Sequence, residues 1–415
     1  MGVNILKKYD IGIIGAGPAG YTAALHARSE GLNVVMFEKD LIGGVCLNKG
    51  CIPTKAVMHA AELYEEMKSC EDVGIFVNSC AGSSTFGGIS VDFEKVMAYK
   101  NQTVEKIRKS LELSLKNAGV TIVSAEAKLQ CKNTISADGE LYECGGIIAA
   151  TGSKPRPLKG LEFDHEFILS SDDILNLKKL PKNIVIVGSG SIGTEWARIF
   201  AAFGVEVTVV EVADRLLPAA DFEVSKRLER IFKAKNIKTV LSYNGDIRQD
   251  FKDAQIILAA VGRIPCEEKT EDGVVYLGDA CGSIQLAHFA AKQAIEEIKG
   301  IKFDKSLVPS VVYGCPEIAW IGAREQDLEQ GTYQKSGLLI SALGKSHCDN
   351  CTDGFIKILS REGKILGAHI VSKEASALIH QILIAMQNNI TTDKLKEVCF
   401  AHPTYSEGIF ECLFR

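Results

Sequence analysis

The stretch YDIGIIGAGPAG, Tyr9 to Gly20, decides the fold. Residues 9 to 14 are a short apolar run of the kind that fills a buried parallel strand. Gly15, Gly17 and Gly20 follow at G-x-G-x-x-G spacing, an Ala- and Leu-rich helical stretch comes next, and the strand NVVMFE ends at Glu38. The same order returns later. NIVIV (183–187) leads into Gly188, Gly190 and Gly193, the helix TEWARIFAAFG follows, and VEVTVVE ends at Glu211. Gly15 and Gly188 are 173 residues apart, as are Glu38 and Glu211, so the chain contains one strand–turn–helix–strand unit twice.

The spacing has a chemical reason. The glycines allow a tight turn and close backbone approach, so a pyrophosphate can rest at the positive end of the helix, while the acid ending the next strand holds ribose hydroxyls. A 2'-phosphate would be repelled by Glu211, and no arginine follows it before Arg215, so the second unit is expected to take NAD rather than NADP. Two dinucleotide sites in one chain imply two cofactors and electron transfer between them.

A third feature lies just beyond Glu38. GGVCLNKGC, Gly43 to Cys51, continues as IPTK through Lys55 and carries two cysteines five residues apart. A metal clip, a structural staple and a redox couple are the three readings. The chain's other close pair is Cys348 with Cys351, and neither pair is accompanied by a second CxxC or a histidine pair at zinc-binding spacing, which weighs against a structural zinc site. A sulfur-reactive pair beside the first unit gives that unit the cofactor that exchanges electrons with sulfur, and a flavin fits. IIAATGS (147–153) and VVYLGDA (274–280) read as strands whose small terminal residues return to that unit.

Composition sets the remaining bounds. The 415 residues allow two or three domains. With 46% apolar and 24% charged residues and a formal charge of -5, the cations are scattered and no nucleic-acid partner is expected. No run of 18 apolar residues predicts a membrane span, and the N-terminus lacks the apolar core of a signal peptide, so a soluble cytoplasmic protein is expected. Thirteen cysteines in a reducing compartment read mostly as small buried hydrophobes.

The cysteine segment, both glycine fingerprints, ATGS, LGDA with LAH at 286–288, and HPTYSE near the C-terminus occur in an order that resembles the flavin-dependent pyridine nucleotide-disulfide oxidoreductases. The likeness runs from about residue 9 to 411 and is nearest to the branch that oxidises dihydrolipoamide. It implies that Cys46 exchanges with substrate sulfur while Cys51 faces the flavin as a thiolate, and that His402 is the base oriented by Glu407, acting on the other subunit of a homodimer. It implies further that Lys55 lies by the flavin paired with Glu195, and that Ala127, Thr151, Gly152, Ser153, Asp279, Gln285, Leu286, Ala287 and His288 contact the same cofactor. Gly262, in AAVGRIP, resembles the position closing the nicotinamide site. FAD and NAD are the expected cofactors, and the lipoyl arm of a 2-oxo acid dehydrogenase complex or glycine cleavage carrier the expected protein partner.

The expected fold is α/β: an FAD-binding domain (1–153 and 269–300), a shortened NAD-binding domain (154–268), both Rossmann-like, and a C-terminal α+β dimerisation domain (301–415). That last part reads as strands VVYGCPEIAWIG, LLISAL, GFIKIL and ILGAHIV followed by the helix ASALIHQILIAMQN. The sequence departs from the family pattern between Lys238 and Ile256 and again between Arg263 and Val274, where only IPCEEKTEDG remains. Ser191 stands where some relatives carry a gating tyrosine, and Cys315 where a histidine often stands. SCAGSSTFGG (79–88) reads as a surface insertion, Cys348 and Cys351 as loop cysteines facing solvent in preference to a second thiol pair, and VEKIRKSLELSL (104–115) as a solvated helix. Another NAD(P)H-dependent disulfide reductase, or a flavin-bearing interaction subunit with impaired nicotinamide turnover, are the alternative functions.

Overall fold

A computed structural model describes residues 7–75, 89–266 and 273–415. The proposed insertion at 79–88 and most of the shortened stretch after Pro265 lie outside the described residues. The first unit runs β1 (Lys7–Ile14), α1 (Pro18–Ser29), β2 (Val34–Phe37), α2 (Gly44–Lys49), α3 (Cys51–Lys68), α4 (Phe93–Asn117), β3 (Thr121–Val123), β4 (Ala127–Cys131), β5 (Thr134–Ala137) and β6 (Glu140–Ala149). Its sheet has the order β3-β2-β1-β6-β5-β4, parallel from β3 to β6 and antiparallel beyond. The four residues of β2 are all buried, as a strand covered on both faces requires. Of the mixed-charge helix, α4 buries Val104 and Leu115 and leaves the residues between them largely outward.

β7 (Ser153–Pro155) carries the chain into a second unit of β8 (Ile168–Leu169), β9 (Asn183–Val187), α5 (Ser191–Ala202), β10 (Glu206–Val210), α6 (Phe222–Ala234), β11 (Lys238–Val240), α7 (Ile247–Asp250) and β12 (Ile256–Ala259). The order is β11-β10-β9-β12-β8, every pair parallel. The two units repeat in register: Gly15 N donates to Phe37 O and Gly188 N to Val210 O, both at 2.8 Å. The first unit places β4 and β5 between its outer strand and β6, whereas only α7 lies between β11 and β12. That is the physical content of the shortening seen in the sequence.

β13 (Arg263–Pro265) returns antiparallel beside β7. β14 (Val275–Tyr276) then joins β6, and α8 (Ala287–Lys299) packs on α1 through Ala19, Ala23, Ala290 and Ala294, small residues that let the helices approach. The C-terminal unit comprises β15 (Ser310–Val312), β16 (Glu317–Gly322), β17 (Gln334–Leu339), α9 (Gly344–Cys348), β18 (Phe355–Arg361), β19 (Lys364–Ser372), α10 (Ala375–Gln387), α11 (Thr392–Lys396) and α12 (Glu407–Cys412). Its antiparallel sheet is ordered β15-β16-β19-β18-β17.

Two strand expectations are corrected here. VVYGCPEIAWIG is two strands, because Gly314 has φ +125° and Pro316 has no amide hydrogen to donate. LLISAL ends its strand at Leu339, and residues 340–342 form a 3-10 turn. The C-terminal sheet is tied to α6 by Lys357. Its fully buried ammonium lies 2.5 Å from the equally buried Asp221 and 2.8 Å from Glu325.

Candidate active site

Both glycine turns adopt a conformation only glycine tolerates. Gly15 and Gly188 each have φ +99°, and a Cβ on either would collide with the carbonyl oxygen of Ala150 or Ala260. A Cβ on Gly20 or Gly193 would strike the carbonyl oxygen of Gly15 or Gly188, so the third glycine sets how closely each helix packs on its turn. Gly17 and Gly190 are the N-cap residues of α1 and α5 and offer no capping side chain, which leaves first-turn amides for a ligand anion. The acids repeat as well. Glu38 accepts from Ala16 N at 2.8 Å and Asp40 N at 2.9 Å, and Glu211 accepts from Ser189 N at 2.8 Å and Ala213 N at 2.9 Å. Ser189 Oγ also donates to Glu211, which is buried. Arg215 turns away from Glu211 toward Pro218 O and the Phe222 ring.

A cleft of about 1100 Å³ runs from the first turn to the cysteines. Gly15, Gly17, Glu38, Cys46, Cys51, Lys55, Ala127, Thr151, Gly152, Ser153, Glu195, Asp279 and Gln285 to His288 all line it. The residues suit FAD. Gly15 and Gly20 leave no room for a Cβ beside the turn, and the buried hydroxyl of Thr151 has no partner within the described residues. Asp279 is fixed by Ser153 Oγ at 2.5 Å, and Arg263 clamps Ser153 and Asp172, donating to Asp172 at 2.8 Å. His288 uses its Nε2 on Pro309 O at 2.9 Å, and burial pushes its pKa down. Gly188, Gly190, Gly193, Glu211 and Gly262 are not among the residues lining this cleft; they gather at the matching end of the second sheet. Gly262 has φ +94° and accepts from Arg156 N. Ser191 lines the cleft, so no aromatic side chain stands at that position.

The cysteine pair is built by a broken helix. Gly43 (φ +100°) and Gly44 (φ +58°) start α2, and a Cβ on Gly44 would run into Gly17, so α2 is pressed against the first fingerprint. Asn48 pins the loop, donating to Gly44 O at 2.9 Å and Ile42 O at 3.0 Å. At Gly50 (φ −152°, ψ −111°) the helix breaks, which brings Cys46 of α2 beside Cys51, the first residue of α3. The two thiols hydrogen bond to one another. That bond, seconded by Lys55, lowers Cys51 to about 7 against burial, while donating it and being buried push Cys46 up. The N-terminus of an 18-residue helix adds its dipole to the same thiolate.

Lys55 and Glu195, 140 residues apart in sequence, meet at 2.7 and 2.9 Å. Tyr313 completes the group. Its amide donates to Glu195 at 3.1 Å and Lys55 Nζ stands 4.5 Å from its ring centroid. His402 Nδ1 and Glu407 Oε1 are 2.8 Å apart, and Thr404 N donates to the other carboxylate oxygen. The imidazole is 75% exposed and does not line the cleft that holds Cys46, so one chain does not bring base and thiols together. His380 and Leu383 of α10 do line it. Sequence reasoning missed Asn48, Arg263, Tyr313 and His380; only Asn48, lying between the two cysteines, had a local signal.

The expectation for the CDNC cysteines is corrected in half. Cys348 is exposed, but Cys351 is partly buried with its Sγ 3.7 Å from that of Cys315. Among the described residues no helix is long and apolar enough to cross a membrane.

Comparison with known proteins agrees with this geometry. Residues 9–294 match the family described as pyridine nucleotide-disulphide oxidoreductase, and residues 308–412 its dimerisation domain. The chain is 33% identical to a dihydrolipoyl dehydrogenase of Mycoplasma pneumoniae over 450 aligned positions, covering 97% of each chain. It is 32% identical to one of Bacillus subtilis, again covering 97% of each. The 450 positions exceed this chain's 415 residues, so the relative carries residues that this chain lacks. Among solved structures, LpdA from Mycobacterium tuberculosis superposes with a TM-score of 0.86 at 23% identity over 99% of both chains. The HOCl-induced flavoprotein disulfide reductase RclA from Escherichia coli gives 0.83 at 22% identity, covering 98% of this chain and 99% of that one. The fold is therefore α/β, with two Rossmann-like dinucleotide-binding domains and a C-terminal α+β dimerisation domain.

Proposed function

The chain belongs to the pyridine nucleotide-disulphide oxidoreductase family, and from that premise we propose that it oxidises protein-bound dihydrolipoyl groups and passes the electrons to NAD+. It is a flavoprotein oxidoreductase working with FAD and NAD, and its dimerisation domain makes it a homodimer. The observation that carries the reading is the broken helix that sets Cys46 beside Cys51 in the cleft wall, with the Lys55–Glu195 pair meeting at 2.7 Å in the same cleft.

Gly15, Gly17, Glu38, Thr151, Ser153 and Asp279 would hold FAD along the cleft, and Gly188, Gly190, Gly193 and Glu211 would hold NAD. Once bound, FAD supplies the electron-pair transfer from sulfur to nicotinamide. The rest belongs to the chain. With Cys46 and Cys51 joined as a disulfide, a substrate thiolate attacks the Cys46 sulfur, the Cys46–Cys51 bond breaks, and Cys51 leaves as a thiolate. Lys55 and the α3 dipole stabilise that leaving group, which makes the bond labile; the Cys46 hydrogen bond joins them only once Cys46 is again a thiol. His402 of the second subunit takes the proton of the remaining substrate thiol at Nε2, because its Nδ1–H is donated to Glu407, whose carboxylate supports the imidazolium. The second substrate sulfur then displaces Cys46, the lipoyl disulfide leaves, and the imidazolium returns its proton to the Cys46 sulfur. Lys55, balanced by Glu195, keeps a cation where charge develops on the reduced centre.

The partner on this reading is the lipoyl arm of another protein, and the reducing cytoplasm is the compartment that suits a chain so rich in thiols. Steady-state NAD+ reduction tests it. Dihydrolipoamide should support turnover, with NADP+ a poor acceptor; turnover with glutathione and NADPH instead would overturn it.

A further inference from the structure

The C-terminal unit holds a second pair of thiols that the reaction above does not use. Cys315 lies in the loop that interrupts β15 and β16, and Cys351 in the turn before β18; their sulfurs are 3.7 Å apart. Both are partly buried; Cys351 N donates to Ser346 O at 2.9 Å, and the Cys315 segment is held by side chains, Tyr313 N donating to Glu195 and Arg198 donating to Pro316 O. A disulfide would bring the two sulfurs from 3.7 Å to about 2.05 Å.

The setting on the Cys315 side is unusual. Arg198 of α5 is 3% exposed, and among the described residues its guanidinium hydrogen bonds are to the carbonyl oxygens of Tyr313 (3.3 Å) and Pro316 (2.7 Å). Its Nε has no partner, and it makes no ion pair among the described residues. Arg198, Cys315, Glu62, Glu65, Lys235 and Gly314 surround a cavity of about 10 Å³, room for a molecule of roughly water size. Glu62 and Glu65 share the cavity but make no close ion pair with Arg198; a thiolate on Cys315 would give the guanidinium a nearer counter-charge, against the opposing charge of Glu62. The buried thiols elsewhere behave otherwise: burial pushes Cys144 up to about 11 and Cys412 up to about 12. Cys315 moves the opposite way, lowered by the hydrogen bond from Cys351 and then by Arg198.

We propose that Cys315 and Cys351 form a second redox couple, oxidised by hydroperoxides to a disulfide with Cys315 as the sulfur attacked. The Cys315 thiolate takes the terminal oxygen of hydrogen peroxide, the O–O bond breaks, and with one proton water leaves and Cys315 becomes a sulfenic acid. Cys351 then attacks that sulfur and the hydroxyl departs with the Cys351 proton as a second water. Two thiols lose two electrons in all and one peroxide gains them. The segment so fixed, Tyr313 to Pro316, is the one whose Tyr313 amide bonds Glu195 of the Lys55 pair.

The test uses pre-reduced holoprotein exposed to hydrogen peroxide, alkylated, and mapped by mass spectrometry without reduction. A cross-linked pair of peptides containing Cys315 and Cys351, reversed by dithiothreitol, is the expected result. In Cys351→Ser, Cys315 should stop as a dimedone-trappable sulfenic acid, and in Cys315→Ser, Cys351 should remain fully alkylated. Full alkylation of both thiols in treated wild-type protein, or a Cys348–Cys351 link in place of the Cys315 one, would overturn the proposal. The wild-type map decides even if a variant fails to fold, and because it reads sulfur rather than turnover, its outcome is independent of the lipoyl reading.

Discussion

Lys55→Met should raise the Cys51 thiol by about one to two pH units. Cys51 and Lys55 stand four residues apart on α3, a spacing that leaves side chains about 5–6 Å apart at Cβ. A unit charge at about 6 Å in an effective dielectric of about 20 is worth roughly 2.8 kcal/mol, or about two pH units on a titrating group. Solvent reaches Lys55, whose side chain is 32% exposed, and screening reduces that to about one unit. The substitution also strips the ion partner from Glu195, 7% exposed and itself an influence that raises Cys51, which restores part of the loss. The midpoint should therefore move from about 7 into the range of roughly 8 to 9. Thiolate absorbance in the ultraviolet, followed against pH in a Cys46→Ser background with and without Lys55→Met, isolates Cys51 when the curve of the matching protein that also carries Cys51→Ser is subtracted. Adding Glu195→Gln to Lys55→Met should bring the midpoint part of the way back. An identical midpoint with lysine and with methionine would refute the electrostatic account of the pair.

Three further outcomes follow from the same geometry. His402→Gln should lower kcat for dihydrolipoamide about 10²- to 10⁴-fold, the usual worth of a positioned base, while Glu407→Gln should cost less because the ring remains; steady-state rates check both. Gly188→Ala forces a Cβ onto the Ala260 carbonyl at φ +99°, so it should abolish flavin reduction by NADH yet leave reduction by dihydrolipoamide, both read by anaerobic absorbance. Lys357→Met leaves the carboxylate of Asp221 buried without its cation and should cost about 3–5 kcal/mol in urea unfolding of the holoprotein.

The fold was legible because its signals are local. Strand, glycine turn, helix and acid occupy a single stretch of chain, and the repeat at 173 residues doubles the signal. The cysteine segment is local too, down to the helix break that Gly50 permits. What sequence reasoning missed depends on contacts between distant elements. Tyr313 reaches Glu195 from the C-terminal unit, and Cys351 meets Cys315 across the gap between two turns. Neither has a period or spacing to announce it. The long strand reading of VVYGCPEIAWIG failed because apolar alternation outweighed one glycine and one proline, which in the folded chain end the pairing. Lys55 with Glu195 was reached only through family likeness, for nothing in residues 51–55 points to a partner 140 positions away.

Sequential anaerobic reduction tests the central claim most directly. Holoprotein treated with NADH alone and with dihydrolipoamide alone should lose its visible flavin absorbance in both cases, and NAD+ should restore it after the dithiol. Bleaching by dihydrolipoamide without bleaching by NADH would contradict the account, leaving a flavin subunit whose second nucleotide site does not turn over.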